Sequence, residues 1–225
     1  MNLQNKLFYS EEIVASGNNL ENTIRNFTSA VNTSFNFYTQ TDNDTKLINL
    51  VQSGNIIELN DFITTQKPNI NAISNKRGWT SLIIASKKGY SEVVELLLEK
   101  GVKLDMQTYD GWTALMLAAN TDMVKLLLEK GANVNLQTND GWSALMLATD
   151  KENVDLVRLL LEKGANVNMQ NNTGWCALMD ASDSGQLEII KQLLEKGANK
   201  NLKTRSGKTA FDVAKNDSIK KLLSP

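Results

Sequence analysis

The chain has 225 residues, of which 41% are hydrophobic and 22% charged, and its formal net charge is −1. That balance supports a packed core and leaves no global field to draw nucleic acid or an anionic membrane surface. Histidine is absent and Cys176 is the one cysteine, which excludes Ser-His and Cys-His nucleophilic pairs, His-containing zinc sites and an internal disulfide.

The opening stretch, MNLQNKLFYSEEIVASG, has no apolar run long enough for a signal peptide. Nothing in the sequence approaches the roughly 18 apolar residues of a membrane span. An intracellular, cytoplasmic location is therefore expected, and the sequons at Asn26, Asn32, Asn43 and Asn171 carry no meaning there. The richness in Asn and Lys reads as compositional bias. Residues 1–43 form the first segment. Leu20, Ile24, Phe27, Val31 and Phe35 recur at helical spacing, which predicts an amphipathic helix over 19–36. Such a helix would cap the apolar end of the segment that starts at residue 44; a partner-binding helix or a disordered tail are the alternatives.

From residue 44 the chain repeats itself. GWTSLIIA at Gly78 returns as GWTALMLA at Gly111, GWSALMLA at Gly141 and GWCALMDA at Gly174, and the glycines from Gly78 to Gly207 are 33, 30, 33 and 33 residues apart. All four tryptophans, Trp79, Trp112, Trp142 and Trp175, occupy one slot of this phrase. A second phrase, Leu-Glu-Lys-Gly, closes the units at Gly101, Gly131, Gly164 and Gly197. Ahead of it, apolar residues stand at i, i+1, i+4 and i+5, as in Val93, Val94, Leu97 and Leu98 or Ile189, Ile190, Leu193 and Leu194: one stripe of a helix.

The punctuation is physical. A glycine just past a helix end accepts the left-handed backbone that ends it, and Lys100, Lys130, Lys163 and Lys196 suit the negative end of the helix dipole. Thr80, Thr113, Ser143 and Thr209 stand where a hydroxyl caps a first helix, whereas Cys176 offers only a weak thiol cap. NLQTNDG and NMQNNTG read as polar, protruding turns. Each unit is then turn, helix, helix and return. Neither helix can bury its stripe alone, so the units must stack.

These motifs resemble the ankyrin-repeat family. Its phrase Gly-x-Thr-Pro-Leu-His-x-Ala-Ala stands here as Gly111-Trp-Thr-Ala-Leu-Met-Leu-Ala-Ala119, and its closing Leu-Leu-x-x-Gly-Ala-x-Val-Asn as Leu127-Leu-Glu-Lys-Gly-Ala-Asn-Val-Asn135. The resemblance implies an all-α solenoid of about six helix-turn-helix units, at 44–75, 76–107, 108–137, 138–170, 171–203 and 204–225, behind a helical N-terminal extension. The first unit is degenerate, kept helical by Val51, Ile56, Ile57, Leu59, Phe62 and Ile63. Ser81, Ala114, Ala144 and Ala177 replace the family's proline; Ile83, Met116, Met146 and Met179 replace its histidine. The unit at 108–137 is three residues short, and the closing unit shares the deletion. Because that is nearly one helical turn, the stripes stay in phase, and the first helix is predicted to be truncated near Asn120.

The resemblance further implies that the tryptophan slot lies at the root of each turn and looks into a concave groove. Trp is a strong interface anchor, but duplication of one template explains the four copies equally well. Charge varies along the same face. Lys76, Arg77, Lys87 and Lys88 make the start basic, Asp110, Asp140, Asp150, Asp180 and Asp183 make the middle acidic, and Lys203, Arg205 and Lys208 make the end basic again. The expected activity is non-catalytic binding of a partner protein through Trp79, Trp112, Trp142, Trp175, Arg77, Tyr109, Asp110, Asp140, Lys87 and Lys88. A host-directed adaptor or effector of an intracellular pathogen or large DNA virus is the alternative, in which case the cytoplasm is the host's. An enzyme is the remote one. SGKT at Ser206–Thr209 is no phosphate loop, since Leu202 stands where the first glycine is required. No cofactor, metal, nucleic acid, membrane or small-molecule substrate is expected, and the chain is expected to be monomeric.

Overall fold

The computed structural model describes residues 41–74 and 77–224. The helix predicted over 19–36, the capping role given to residues 1–43, and Lys76 lie outside the described residues.

Among the described residues six helical pairs follow one another: α1 (Asp42–Ser53) with α2 (Ile56–Gln66), α3 (Ser81–Lys88) with α4 (Ser91–Glu99), α5 (Ala114–Leu117) with α6 (Thr121–Glu129), α7 (Ala144–Asp150) with α8 (Val154–Glu162), α9 (Ala177–Ser184) with α10 (Leu187–Glu195), and α11 (Ala210–Val213) with α12 (Asp217–Leu223). The described residues contain no β-strand, only isolated bridges at Ile73–Thr80 and Gln137–Ser143. The first helices α1, α3, α5, α7, α9 and α11 stack in chain order, and the second helices lie outside them, with α8 packed on α10. The all-α solenoid expected from the repeats is the observed architecture.

The core is the sum of the stripes. Val93, Val94 and Leu97, then Met123, Val124 and Leu127, then Val157, Leu160 and Leu161, then Ile189, Ile190 and Leu193 are buried. The last position of the predicted stripe is only half-buried in α4, α6 and α10. Met116, Met146 and Met179, where the family carries histidine, are buried, so their exchange leaves no unsatisfied polar group. In α1–α2, Val51, Leu59, Phe62 and Ile63 are buried, but Ile57 is 82% exposed and does not belong to the core.

The predicted caps form. Thr80, Thr113 and Ser143 accept from the backbone N–H of Ile83, Met116 and Met146 at 3.2, 3.2 and 3.3 Å. Thr209 and Asp212 complete a reciprocal capping box, and the hydrogen bonds from Thr209 hold the Asp212 carboxyl below its usual range. At the other ends, Gly101, Gly131, Gly164 and Gly197 carry φ between +80° and +93°. The N–H of Gly101 bonds Leu98 and that of Val102 bonds Leu97, a pairing that satisfies two terminal carbonyls. The three-residue deletion shortens α5 and α11 to four residues each, against eight in α3 and α9.

Cys176 makes no side-chain cap to α9, and burial pushes its thiol pKa up. Thr fits this buried slot in the sister units at Thr80 and Thr113. We expect Cys176→Thr to stabilise the chain by about 0.5–1 kcal/mol, read as a rise in Tm of roughly 1–4 °C by calorimetry.

Asparagine is structural, which corrects its reading as compositional bias. The side chains of Asn71, Asn135 and Asn168 accept from the backbone N–H of Lys103, Asn166 and Asn199 in the next unit, each at 2.7 Å. The amides of Asn135 and Asn168 also reach forward to the carbonyls of Gly164 and Gly197. These bonds tie unit to unit beside the buried Val102, Val134, Val167 and Ala198.

Candidate functional site

Each turn is closed at its root by the tryptophan's own backbone. Thr108 N–H donates to the Trp112 carbonyl at 2.9 Å and the Trp112 N–H donates to Thr108 Oγ1 at 3.0 Å. Thr138 and Trp142 repeat the pair, and Asn171 with Trp175 makes it through an amide oxygen. The indoles are thereby held at equivalent places of successive units, each half-buried.

Successive turns are then locked together. Backbone bonds join one turn to the next: Tyr109 N–H to Arg77 at 3.2 Å, Asn139 to Asp110 at 3.0 Å, Asn172 to Asp140 at 2.9 Å, and Arg205 to Thr173 at 2.8 Å. Asn139 and Asn172 add side-chain bonds to the carbonyls of Tyr109 and Asn139, both at 2.8 Å. A third strand of bonds was not foreseen from the sequence. The amides of Gln107, Gln137 and Gln170 each donate to the carbonyl of the turn glycine four residues on and to a second carbonyl 30 or 33 residues on, those of Gln137, Gln170 and Lys203. The recurring Gln four residues before each of Gly111, Gly141 and Gly174 was the available signal. The outcome is an edge of turns hydrogen-bonded from unit to unit.

Three of the four tryptophans share one face. Trp112 and Trp142 flank an open cleft of about 540 Å³ lined also by Asp110, Asp140, Leu147 and Asp150. Trp142 and Trp175 flank the next, of about 490 Å³, with Asp140, Asn171, Asn172 and Thr173. Trp142 is common to both, so the indoles and aspartates form a continuous wall built from turns and α7. Of the other residues expected at the site, Tyr109 is 58% exposed. Its backbone N–H ties it to exposed Arg77 across the junction. Lys87 lies over the ring of Trp79, its ammonium 4.6 Å from the centroid. Lys88 turns away: it bonds the Gln52 carbonyl at 3.1 Å and lies over Tyr90 at 5.5 Å, both contacts within the chain.

Asp180 stands where the sister units carry Ile84, Leu117 and Leu147. One oxygen accepts from the Trp175 indole N–H at 3.4 Å, and the other is buried without a partner. Burial pushes its pKa from 3.8 up to about 6, Asp150 on α7 and Asp183 on its own helix push the same way, and the Trp175 bond opposes them. Between these two values the folded chain holds a proton that the unfolded chain has released. The carboxyl therefore destabilises the fold progressively as pH rises through that window, and the penalty is complete above about 6. Asp180→Asn keeps an acceptor for Trp175. It should raise Tm by roughly 2–4 °C at pH 7.5, about 1 kcal/mol once solvent screening is allowed for, and the gain should disappear at pH 4. Melting curves at the two pH values check this.

Among the described residues no group of three or more Cys, Asp or Glu side chains is arranged to hold a metal ion, and no helix is long and apolar enough to cross a membrane.

A family model for ankyrin repeats, in sets of three copies, matches residues 13–108, 47–138 and 120–204. The first match reaches into the segment set apart at 1–43. Among curated proteins, the chain is 47% identical over 45 residues to mouse protein phosphatase 1 regulatory subunit 12A and 51% identical over 37 residues to human subunit 12B. These alignments cover 20% and 16% of this chain and 4% of each relative. Among solved structures, the ankyrin-repeat domain of Bcl-3, a member of the IkappaB family, superposes with a TM-score of 0.65 at 26% identity, over 80% of this chain and 97% of that one.

Proposed function

The chain belongs to the ankyrin-repeat family, and from that premise we propose that it is a non-catalytic module that binds a partner protein on the wall of turns and first helices. One observation carries the proposal: Trp112, Trp142 and Trp175 line successive open clefts on one side of the stack. Large, half-buried rings on a surface that is already ordered lose little entropy when a partner covers them, and such rings dominate binding energy where they occur. The crossing bonds hold the turns of that surface together. The likeness to phosphatase regulatory subunits supports protein binding as the class of activity. The chain spans 4% of those relatives, so the partner is sought from this surface and not from their names. Catalysis has little to work with, because the sequence has no histidine and the clefts are open.

Site-specific photo-crosslinking tests this reading. A benzophenone side chain placed at Tyr109 or Asn172, on the turns, is expected to capture the partner from native extract. The same group at Glu129 or Lys163, both exposed at the far ends of second helices, is expected not to. The reverse pattern would move the binding surface to the opposite side.

A further inference from the structure

The chemistry of the partner can be read from a contrast between repeats. In the first well-formed repeat the chain supplies its own cation to the indole: Lys87, seven residues after the capping Thr80, lies 4.6 Å above Trp79. Seven residues after the capping Ser143 stands Asp150, and seven after Cys176 stands Asp183. In the unit of Trp112 the deletion removes the position altogether, since α5 ends at Leu117. One indole is thus covered by an internal ammonium. For the other three, the equivalent place is empty or holds a carboxylate.

The clefts follow the same rule. The lining of the one between Trp112 and Trp142 includes Asp110, Asp140 and Asp150 and neither lysine nor arginine. The lining of the next includes Asp140 and two indoles, and the indole N–H of Trp175 donates to Asp180. An aromatic face beside a carboxylate is the environment in which a guanidinium is held twice over, stacked on the ring and hydrogen-bonded to the acid.

We propose that these two clefts seat cationic side chains, arginine foremost, from an extended basic segment of the partner protein. The proposal rests on the binding surface assigned to the wall of turns and names its ligand chemistry. Stacked helical units repeat about every 10 Å, and three residues of polyproline II advance about 9.3 Å and return to the same side. An Arg-x-x-Arg segment in that conformation therefore presents one guanidinium to each cleft. The Lys87–Trp79 pair is the chain's own version of the contact, and it leaves that repeat closed to an outside cation.

The test is selection of peptides from an unbiased random 12-residue display library against the whole chain. Peptides with two basic residues three apart are expected to be enriched. Their affinity should fall at least tenfold with Asp140→Asn combined with Asp150→Asn, two exposed and conservative changes, and should fall steeply as salt is raised from 50 to 500 mM. It should also fall with Trp142→Phe, which keeps a ring but removes the larger indole. Peptides that require Trp142 but are neutral or acidic would overturn the cation proposal and leave the binding surface standing. Peptides indifferent to Trp142 and to both aspartates would overturn the two together.

Discussion

Gly141→Ala is expected to cost the fold at least about 3 kcal/mol, whereas Gly131→Ala, at a similar backbone angle, costs about 1 kcal/mol. Both glycines are left-handed, with φ of +84° and +93°. Their surroundings separate them. A Cβ on Gly131 meets nothing within 4 Å, while one on Gly141 would stand 2.7 Å from the Asn171 Cα and 2.9 Å from the Asn172 N. Those atoms are backbone of the next turn, and the Asn172 N–H is bonded to Asp140. Relief therefore requires the two turns to separate, breaking a bond that crosses the junction. In a linear stack stability is a sum of unit and junction terms, so a weakened junction uncouples its two sides. Urea unfolding should show the consequence: a single transition for the parent and for Gly131→Ala, and a broadened or split one for Gly141→Ala. Equal costs at the two glycines would show that the junction does not depend on close approach of the turns.

Trp112→Ala combined with Trp142→Ala is expected to weaken the partner more than tenfold while the chain remains folded. A buried aromatic anchor is commonly worth about 2 kcal/mol or more, and tenfold in affinity needs only about 1.4 kcal/mol. The two losses need not add, since Trp142 shares a cleft with Trp112. The fold survives because the bonds that close each turn involve the tryptophan backbone and the side chains of Thr108 and Thr138, which the substitutions leave intact. Titration calorimetry with the captured partner, alongside far-UV circular dichroism of the variant, reads both halves. Binding within threefold of the parent would remove the indoles from the interface.

Much of the fold is legible in the sequence because its determinants are local. A glycine after Leu-Glu-Lys ends a helix by its own backbone freedom. Thr80, Thr113 and Ser143 cap helices with N–H groups three residues on. The short α5 follows from counting residues between fixed landmarks. The bonds that join units are not local in this sense. Gln107, Gln137 and Gln170 are polar residues in polar turns until stacking brings a carbonyl 30 or 33 residues away within reach. The same holds for the asparagines, whose partners lie in the next unit.

For the site, the family resemblance implied tryptophans at the roots of the turns, and the structure puts three of them along shared clefts. The sequence did not separate Lys87 from Lys88. One lies over Trp79 and the other faces back toward Gln52 and Tyr90, a difference decided by one residue's rotation around α3. Nor did it single out Asp180 from the other acids. Its raised pKa arises from burial beside Trp175 and from Asp150 of the neighbouring unit, a juxtaposition that exists only in the stacked chain.

The four tryptophans give four indole N–H signals in a ¹H–¹⁵N spectrum, one from each well-formed repeat. Recorded with and without the bound partner, that spectrum reports directly on whether the shared wall is the surface in use. The signals of Trp112, Trp142 and Trp175 should shift or broaden together, and that of Trp79, already covered by Lys87, should move least. Saturated binding that leaves all three unchanged would contradict the account.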